Sequence, residues 1–301
     1  MDVGRHRIAI IALAVIILCA LGVGSYFLWN GTERTLPGDD PKFAEIGNIL
    51  MDDPTYNRGI VKIQPLAGGE VSYTNLNGRD PNYLMDNNVI IYYRTAPGNK
   101  YEVMTYNFQT GENYTFYSTV EKISSLKRVH GSDNFTVILN DKRMMHFDML
   151  TGYVSEVTEV YGRISKVYSW AEDGNLLFYD YNGYIHVYNF ITKTDIELTQ
   201  GIEPVVCDST MLYKLSEDDQ RLRVMNWNNP SESKVLGDSD VGTYCFTADG
   251  RYAIYTARSY SLKNKFGLSL KLWDFNADEK YVIKYGLKSL VGDLNMDSRG
   301  W

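Results

Sequence analysis

The stretch LKLWDF at residues 270–275 decides the fold, because the chain carries four earlier copies of its pattern. Each copy is a short run of mixed apolar and polar residues that reaches an Asn or Asp and then a turn. The five copies are VMTYNF at 103–108, MHFDM at 145–149, IHVYNF at 185–190, LRVMNW at 222–227 and LKLWDF at 270–275. Their anchoring residues, Asn107, Asp148, Asn189, Asn226 and Asp274, are 41, 41, 37 and 48 positions apart. A period of this size indicates repeated supersecondary units.

Each unit divides into four strands, which we name a to d. In the unit at 161–198, strand a includes Trp170, and the Asp-Gly pair at 173–174 is typical of a tight hairpin leading into strand b. Strand c contains the repeated motif, and strand d follows it. The unit at 241–283 has the same order, and no segment after residue 50 shows a sustained helical period. Four-stranded antiparallel units with this repeat length are typical of β-propeller blades, so we expect an all-β fold.

Two incomplete units at the ends of the repeat region bear on the number of blades. Residues 48–51, 59–63 and 70–74 match strands b, c and d, and residues 287–296 match a strand a. The simplest interpretation is a ring of six blades, in which the last strand completes the first blade and each blade covers its neighbour's apolar face. The alternative is a seventh blade that is cut short, if the chain is truncated after Trp301.

The openings of two units resemble a known family. The segments EDGNLLF at 172–178 and ADGRYAIY at 248–255 resemble the Asp-Gly-x-apolar blade opening of TolB-like propellers, and Trp273-Asp274 resembles the end of a WD repeat. The resemblance covers residues 46–301. It implies a scaffold outside the cytoplasm that binds a ligand or a protein.

Composition narrows the class of partner. Apolar residues make up 44% of the chain and charged residues 22%, which is normal for a folded globular protein. The 24 tyrosines favour strands over helices. The net charge is −7, whereas nucleic-acid binders usually carry a basic face, so we expect no nucleic-acid partner.

The amino terminus carries an uncharged stretch at 8–29, IAIIALAVIILCALGVGSYFLW, that is long enough to cross a bilayer as a helix. Arg5 and Arg7 precede it, so residues 1–7 are predicted to stay in the cytoplasm and the rest to lie outside the cell membrane, in the periplasm or the extracellular space. Residues 30–46 are polar and predict a linker to a propeller at 47–301. The alternative is a cleaved signal peptide, which would also export the chain.

Motifs for catalysis are missing from the sequence. It holds no G-x-S-x-G, H-E-x-x-H, P-loop or C-x-x-C pattern, so we predict no enzyme, no metal site and no cofactor. Asn and Asp at the ends of the c strands are predicted to form turns by accepting hydrogen bonds from their own backbone. The aromatic residues of the c strands recur in register, which favours packing between blades over a sugar platform; they are Tyr106, Tyr188, Trp227 and Trp273.

Two kinds of covalent modification stay open. Cys207 and Cys245 are the cysteines outside the apolar stretch, and they could pair in an exported domain or pack as small buried side chains. Asn113 and Asn134 begin Asn-x-Thr sequons, so they are candidate glycosylation sites in a host that glycosylates exported proteins.

The 48-residue spacing points to the candidate binding site. It arises from a longer connection between strands b and c at 257–267, which is basic and aromatic in an acidic protein. A loop longer than its siblings is often functional, although a tolerated insertion is the alternative. With Arg94 from the corresponding connection of an earlier blade, the predicted ligand- or partner-binding residues are Arg94, Arg258, Tyr260, Lys263, Lys265 and Phe266.

These features together predict a membrane-anchored propeller that binds a protein, a peptide or an envelope glycan without catalysis. One alternative is a propeller lyase or glycosidase with acids around the central channel, for which Glu203, Asp238 and Asp240 near the d–a connections are too few. The other is the propeller portion of a truncated prolyl-oligopeptidase-type peptidase.

Overall fold

A computed structural model of the chain describes residues 34–35, 46–53, 59–64, 70–247, 249–259, 267–287 and 294–296. Strands and the turns between them dominate these residues, with short 3-10 turns at Thr158–Val160 and Glu172–Gly174. The strands are, in chain order, β1 (Arg34–Thr35), β2 (Ile49–Asp53), β3 (Gly59–Gln64), β4 (Glu70–Tyr73), β5 (Arg79–Tyr83), β6 (Val89–Ala96), β7 (Lys100–Asn107), β8 (Asn113–Thr119), β9 (Ile123–Arg128), β10 (Phe135–Leu139), β11 (Arg143–Phe147), β12 (Val154–Val157), β13 (Tyr168–Ala171), β14 (Leu176–Tyr181), β15 (Tyr184–Asn189), β16 (Thr194–Gln200), β17 (Ile202–Cys207), β18 (Thr210–Lys214), β19 (Leu222–Asn226), β20 (Ser233–Val235), β21 (Tyr244–Phe246), β22 (Tyr252–Ser259), β23 (Gly267–Asp274), β24 (Glu279–Leu287) and β25 (Leu294–Met296).

The described strands form six sheets, each with four antiparallel strands in the order a, b, c, d. Blades 2 to 6 are β5–β8, β9–β12, β13–β16, β17–β20 and β21–β24, and blade 1 has the order β25-β2-β3-β4. Strand β1 lies in parallel on the outer edge of blade 6, beside β24. The all-β fold of four-stranded blades predicted from the sequence is therefore confirmed.

The strand from the carboxyl-terminal region closes the ring. Strand β25 pairs with β2, with Ile49 opposite Met296, so the last described strand supplies strand a of the first blade, as the six-blade interpretation predicts. The innermost strands contact one another in a cycle from β25 through β5, β9, β13, β17 and β21 back to β25. Side chains tie some of these neighbours together: the Leu126 amide donates to Asp80 at 2.8 Å, and the Val206 amide donates to Ser169 at 3.1 Å.

The core is divided into six apolar clusters, and each lies between two adjacent blades. The cluster between blades 6 and 1, for example, joins Ile49 and Met51 to Ile254 and Leu272. A blade covered on both sides cannot alternate between apolar and polar residues, which explains why strand β10, with the sequence FTVIL, is buried at every position. Each fully buried Ile, Phe or Val contributes roughly 1.5–3 kcal/mol of transfer free energy to this packing.

The predicted role of the Asn and Asp residues as turn formers is confirmed. The side-chain oxygen of Asp148 accepts hydrogen bonds from the amides of Leu150 and Thr151 at 2.9 and 3.0 Å. Asn189 does the same for Ile191 and Thr192. Equivalent bonds to backbone amides two or three residues ahead are made by Asn107, Asn226 and Asp274. The repeated residue therefore fixes the connection between strands c and d.

The aromatic residues of the c strands belong to the clusters between blades, as predicted, and some also contact rings within their own blade. Trp273 contacts Phe275 with ring centroids 5.1 Å apart, and Tyr188 contacts Phe190 at 4.8 Å, both edge to face. Trp227 and Trp273 occupy different positions in the repeat, because Trp227 follows its anchor Asn226 whereas Trp273 precedes its anchor Asp274. Trp227 instead packs against Phe178 of blade 4 at 5.1 Å. The bulky residue after the anchor is thus a second repeated packing position.

Both described cysteines are free. Cys207 is buried at the end of β17, and Cys245 is half-buried in β21, so of the two alternatives the structure shows the unpaired one. Burial raises the pKa of each thiol to about 12. Each cysteine therefore packs as a small apolar side chain.

The predicted cytoplasmic segment at 1–7 and the predicted span at 8–29 lie outside the described residues. Among the residues that are described, no helix is long and apolar enough to cross a membrane. Of the predicted linker at 30–46, residues 34–35 form β1 and Ile46 is buried in the cluster between blades 6 and 1.

Candidate functional site

The b–c and d–a connections of all blades share one face of a propeller, which we call the loop face; the a–b and c–d connections share the other, which we call the turn face. Strands β22 and β23 end and begin at Ser259 and Gly267, so the long connection is a b–c connection on the loop face, as predicted. Four of its predicted binding residues, Tyr260, Lys263, Lys265 and Phe266, lie outside the described residues.

The two described arginines of the predicted site are both ion-paired. Arg94 lies within strand β6 and not in the connection itself, and its Nε and Nη2 donate to Oε2 of Glu102 at 2.9 and 2.8 Å. Arg258 lies near the end of β22, with Nε 2.8 Å from Oδ2 of Asp240. Both side chains are partly exposed at the loop-face ends of b strands, in blades 2 and 6, with blade 1 between them.

A half-buried carboxylate, that of Asp238, joins blade 5 to blade 6 beside Arg258. Asp238, in the d–a connection after β20, accepts hydrogen bonds from Lys271 Nζ at 2.9 Å and from the Tyr255 hydroxyl at 2.8 Å. Lys280 Nζ lies 3.3 Å from Oδ2 of Asp238, the oxygen that also accepts from Tyr255. The Lys271 side chain is only 2% exposed, and its Nζ also donates to the carbonyl oxygen of Arg258 at 3.2 Å. We call Asp238, Lys271 and Arg258 with Asp240 the clamp, because these groups fasten the base of the long connection to the d–a connection.

Electrostatics hold the clamp in its charged form. Burial alone would raise the pKa of Asp238, but the ammonium groups of Lys271 and Lys280 and the hydrogen bond from Tyr255 keep that pKa below its ordinary value. A buried ion pair repays its loss of hydration only when the geometry is good and the remaining donors are satisfied. Lys271 meets both conditions through Asp238 and the Arg258 carbonyl.

A second buried lysine lies at the same blade boundary. Lys214 of β18 is 4% exposed, and its Nζ donates to Glu203 Oε2 at 2.7 Å and to the Gly242 carbonyl at 2.8 Å. The same Nζ lies 5.5 Å from the ring centre of Tyr244, whose hydroxyl donates to the Glu203 carbonyl. These contacts connect strand a of blade 5 to the start of blade 6.

Asp180, in strand b of blade 4, lies beside this network. It accepts hydrogen bonds from the Ser165 hydroxyl at 2.5 Å and from the Glu203 amide at 3.2 Å. Burial raises the pKa of Asp180, against these two hydrogen bonds, and the nearby Glu203 carboxylate raises it further. Asp180 and Asp238 are therefore two half-buried aspartates whose pKa values are shifted in opposite directions.

Sequence reasoning named Glu203, Asp238 and Asp240 but missed Asp180, Lys214 and Lys271. One signal was available for the lysines: each interrupts an apolar strand, Lys214 at the end of TMLYK in β18 and Lys271 within LSLKLWD in β23. A lysine at a buried position of a strand needs a partner, so the pattern predicts an ion pair even though it does not identify the carboxylate.

The loop face also exposes tyrosines in blade 4 and next to it. Tyr181 and Tyr184 lie opposite each other across the b–c hairpin of blade 4 and are 38% and 41% exposed. Tyr161, in the connection from blade 3 to blade 4, is 57% exposed. Tyrosine is enriched at protein interfaces because it offers apolar area and a hydroxyl with little loss of conformational entropy. The sequence analysis did not single out these residues.

A cleft of about 720 Å³ opens between blades 5 and 6 on the side of the turn face. Asn226 and Lys234 of blade 5 and Asp249, Arg251 and Phe275 of blade 6 are among its lining residues. Its lining combines charges of both signs, an amide and an aromatic ring. These groups suit a polar ligand, so the cleft is a second surface that could hold one.

The candidate glycosylation residues occupy ordinary structural positions. Asn113 is exposed at the start of β8, and its Nδ2 donates to the Tyr92 hydroxyl at 2.9 Å. Asn134 is half-buried, and its Oδ1 accepts from the Met149 amide at 3.2 Å. Among the described residues, no group of three or more His, Cys, Asp or Glu side chains is arranged to hold a metal ion.

No protein-family model matches the sequence, and no curated protein matches it. Solved structures do match the fold. One is TolB from Acinetobacter baumannii, with a TM-score of 0.63 and 15% identity over 90% of this chain and 69% of that one. The chain is a β-propeller, similar in fold to TolB. A chain of the nidogen/laminin complex matches with a TM-score of 0.61 and 11% identity, over 83% of this chain and 98% of that one. A chain of the mitotic checkpoint complex matches with a TM-score of 0.51 and 11% identity, over 73% and 84% respectively.

Proposed function

We propose that this chain is a membrane-anchored propeller outside the cytoplasm, and that it binds a protein partner through its loop face without catalysis. The observation that carries the proposal is the clamp. It places the buried Lys271 against the half-buried Asp238 at the base of the long connection, in addition to the apolar cluster between blades 5 and 6. Such an arrangement supports a connection whose position matters, because surface loops without a function need no buried support.

Three further observations favour a protein over a glycan or a peptide. Two of the structures with a similar fold are parts of protein complexes. The exposed tyrosines of blade 4 lie on the same face as the clamp. The long connection is basic and aromatic in sequence within a chain of net charge −7, so we expect an acidic surface on the partner.

The test is recovery of partners by the full-length protein in mild detergent. We compare Lys263→Glu/Lys265→Glu with Lys100→Glu/Lys142→Glu, which makes the same charge change at the b–c hairpins of blades 2 and 3, at the start of β7 and in the turn before β11. Only the first variant should lose the partner, while the melting temperatures of both stay near that of the wild type. Equal recovery from both variants would rule out the long connection as the site. Recovery of glycan in place of protein would change the partner class.

A lyase or glycosidase is the second candidate, and the raised pKa of Asp180 next to Glu203 favours it. A carboxyl group whose pKa is raised is better suited to act as a general acid. Incubating the protein with envelope polysaccharides should release no new reducing or unsaturated ends if the binding proposal is right. Release that disappears in Asp180→Asn would establish catalysis instead.

A further inference from the structure

The route of the chain into the propeller indicates which face is nearer the membrane. Strand β1 pairs in parallel with β24, with Arg34 beside Tyr281 and Thr35 beside Val282. Because the two strands are parallel, β1 begins at the end of the sheet where β24 begins, next to the residues that precede β24. Those residues form the c–d turn of blade 6, which belongs to the turn face. Residues 30–33 alone separate Arg34 from the predicted span, and this distance cannot exceed about 18 Å even if fully extended.

The same face carries two exposed aliphatic side chains at matching positions. Leu150 and Ile191 each lie two residues after the anchor of a c–d turn, and they are 94% and 71% exposed. The anchors Asp148 and Asn189 accept hydrogen bonds from the amides of these two residues, so the turn is held and the side chain projects from its tip. In blades 2, 5 and 6 the matching residues are polar and exposed: Gln109, Asn228 and Asn276.

The order of the blades separates the two features across the ring. Blades 3 and 4, which carry Leu150 and Ile191, lie opposite blades 6 and 1, where β1 joins the propeller. A single exposed Leu is ordinary on a protein surface. Leu150 and Ile191 lie on the face where β1 begins, on the opposite side of the ring, and give the propeller a second point of attachment. Because the proposed anchor already holds the propeller at the bilayer, the effective concentration of membrane around these two side chains is high. Even weak insertion of Leu150 and Ile191 is then sufficient.

We propose that the turn face lies against the membrane, with Leu150 and Ile191 inserted into the interfacial region of the bilayer. This inference rests on the proposed membrane anchor at 8–29. Glu172 and Asp173 lie on the same face, in the a–b turn of blade 4, so the contact is apolar insertion and not attraction to anionic headgroups. The arrangement turns the loop face, with the clamp and the exposed tyrosines, away from the bilayer and toward a partner.

The experiment uses the full-length protein in liposomes, labelled with an environment-sensitive fluorophore at one introduced cysteine. Cys19 is replaced by Ser, and the high pKa of Cys207 and Cys245 limits their labelling. The labelled variants are Leu150→Cys and Ile191→Cys on the turn face and Asn182→Cys in the b–c turn of blade 4. A lipid-borne nitroxide quencher should quench the fluorophore at 150 and 191 several-fold more strongly than at 182. Greater quenching at 182 would reverse the orientation and overturn the proposal.

A second labelled position removes the risk that the fluorophore itself drives insertion. With the label at Gln109→Cys, the variant Leu150→Ser/Ile191→Ser should lose quenching. Each aliphatic side chain removed from the bilayer interface weakens association of the turn face with the membrane by about tenfold or more. Unchanged quenching would overturn the role of these two side chains. A third outcome would assign Leu150 and Ile191 to a protein partner. In that case the label at 150 would be shielded from aqueous iodide, would not be quenched by the lipid-borne nitroxide, and would cross-link to a protein.

Alkaline extraction separates this proposal from the one on which it rests. Protein released from the membrane at high pH would refute the anchor, and the arrangement with it. Protein that is retained but is not quenched at 150 or 191 would refute the arrangement alone and leave the proposed anchor intact.

Discussion

The boundary between blades 2 and 3 and the boundary between blades 5 and 6 join the same kind of unit by different means. At the first, Phe135 and Phe147 stack with ring centroids 4.7 Å apart, and Phe116 packs edge to face against Phe135. At the second, Asp238 and Lys271 form a buried ion pair among apolar neighbours. Both boundaries have an apolar cluster, and the first also carries a hydrogen bond from the Leu126 amide to the buried Asp80. The charges at the second boundary differ because they extend to the base of the long connection. The contact of Lys271 with the Arg258 carbonyl indicates that they position the long connection.

The aromatic boundary should give the largest loss of stability. Phe147→Ala removes a side chain that is fully buried, and we expect a decrease of about 4 kcal/mol in the free energy of unfolding. Urea denaturation of the variant and the wild type measures it. The matched control is Tyr114→Ala, an exposed aromatic residue in blade 2, for which the change should stay within about 0.5 kcal/mol. Similar values for both variants would contradict the division of the core into clusters between blades.

The ion-paired boundary should respond differently to single and double changes. Lys271→Met leaves Asp238 buried without its closest cation, and we expect a loss of about 3 kcal/mol. Asp238→Leu/Lys271→Met removes both charges, so the double variant should recover part of this loss. The same denaturation experiment on the wild type, Lys271→Met, Asp238→Leu and the double variant gives the coupling energy. If the double variant lost the sum of the two single effects, the pair would not act as a unit.

The two boundaries also differ in how far the sequence predicts them. The c-strand motif repeats its apolar, anchor and aromatic positions, so the blades, the Asx turns and the ring closure through β25 follow from the pattern. The clamp does not, because Asp238 is 33 residues from Lys271 and 17 from Tyr255 and belongs to the preceding blade. Sequence periodicity describes what every blade shares. It carries no information on a contact made once, between one d–a connection and the next blade.

Asp238 and Asp180 should give opposite dependences of stability on pH. Two lysines hold the pKa of Asp238 below 3.8 despite its burial, so its stabilising effect is complete above pH 3.8 and is lost as the pH falls through the lowered value. Burial raises the pKa of Asp180 above 3.8, so its effect is complete below pH 3.8 and is lost as the pH rises through the raised value.

The matched variants are Asp238→Asn and Asp180→Asn, measured by urea denaturation at pH 7 and near pH 4. At pH 7 the first should be less stable than the wild type and the second more stable. Near pH 4 the difference for Asp180→Asn should shrink, whereas the difference for Asp238→Asn should largely remain, because pH 4 is still above the lowered pKa of Asp238. A destabilised Asp180→Asn at pH 7 would show that the hydrogen bonds from Ser165 and Glu203 outweigh the cost of burying the charge.

The smallest effect on stability belongs to the exposed ion pairs of the loop face. Arg258→Ala and Arg94→Ala each break a partly exposed pair, with Asp240 and with Glu102, so each should cost less than about 1 kcal/mol. If the loop face binds the proposed partner, Arg258→Ala should nevertheless lower partner recovery several-fold, because the guanidinium contributes to binding the partner more than to the stability of the fold. Arg94 is two blades away from the long connection, and its loss should lower recovery less. A destabilised Arg258→Ala with unchanged recovery would assign Arg258 to the clamp alone and remove it from the binding surface.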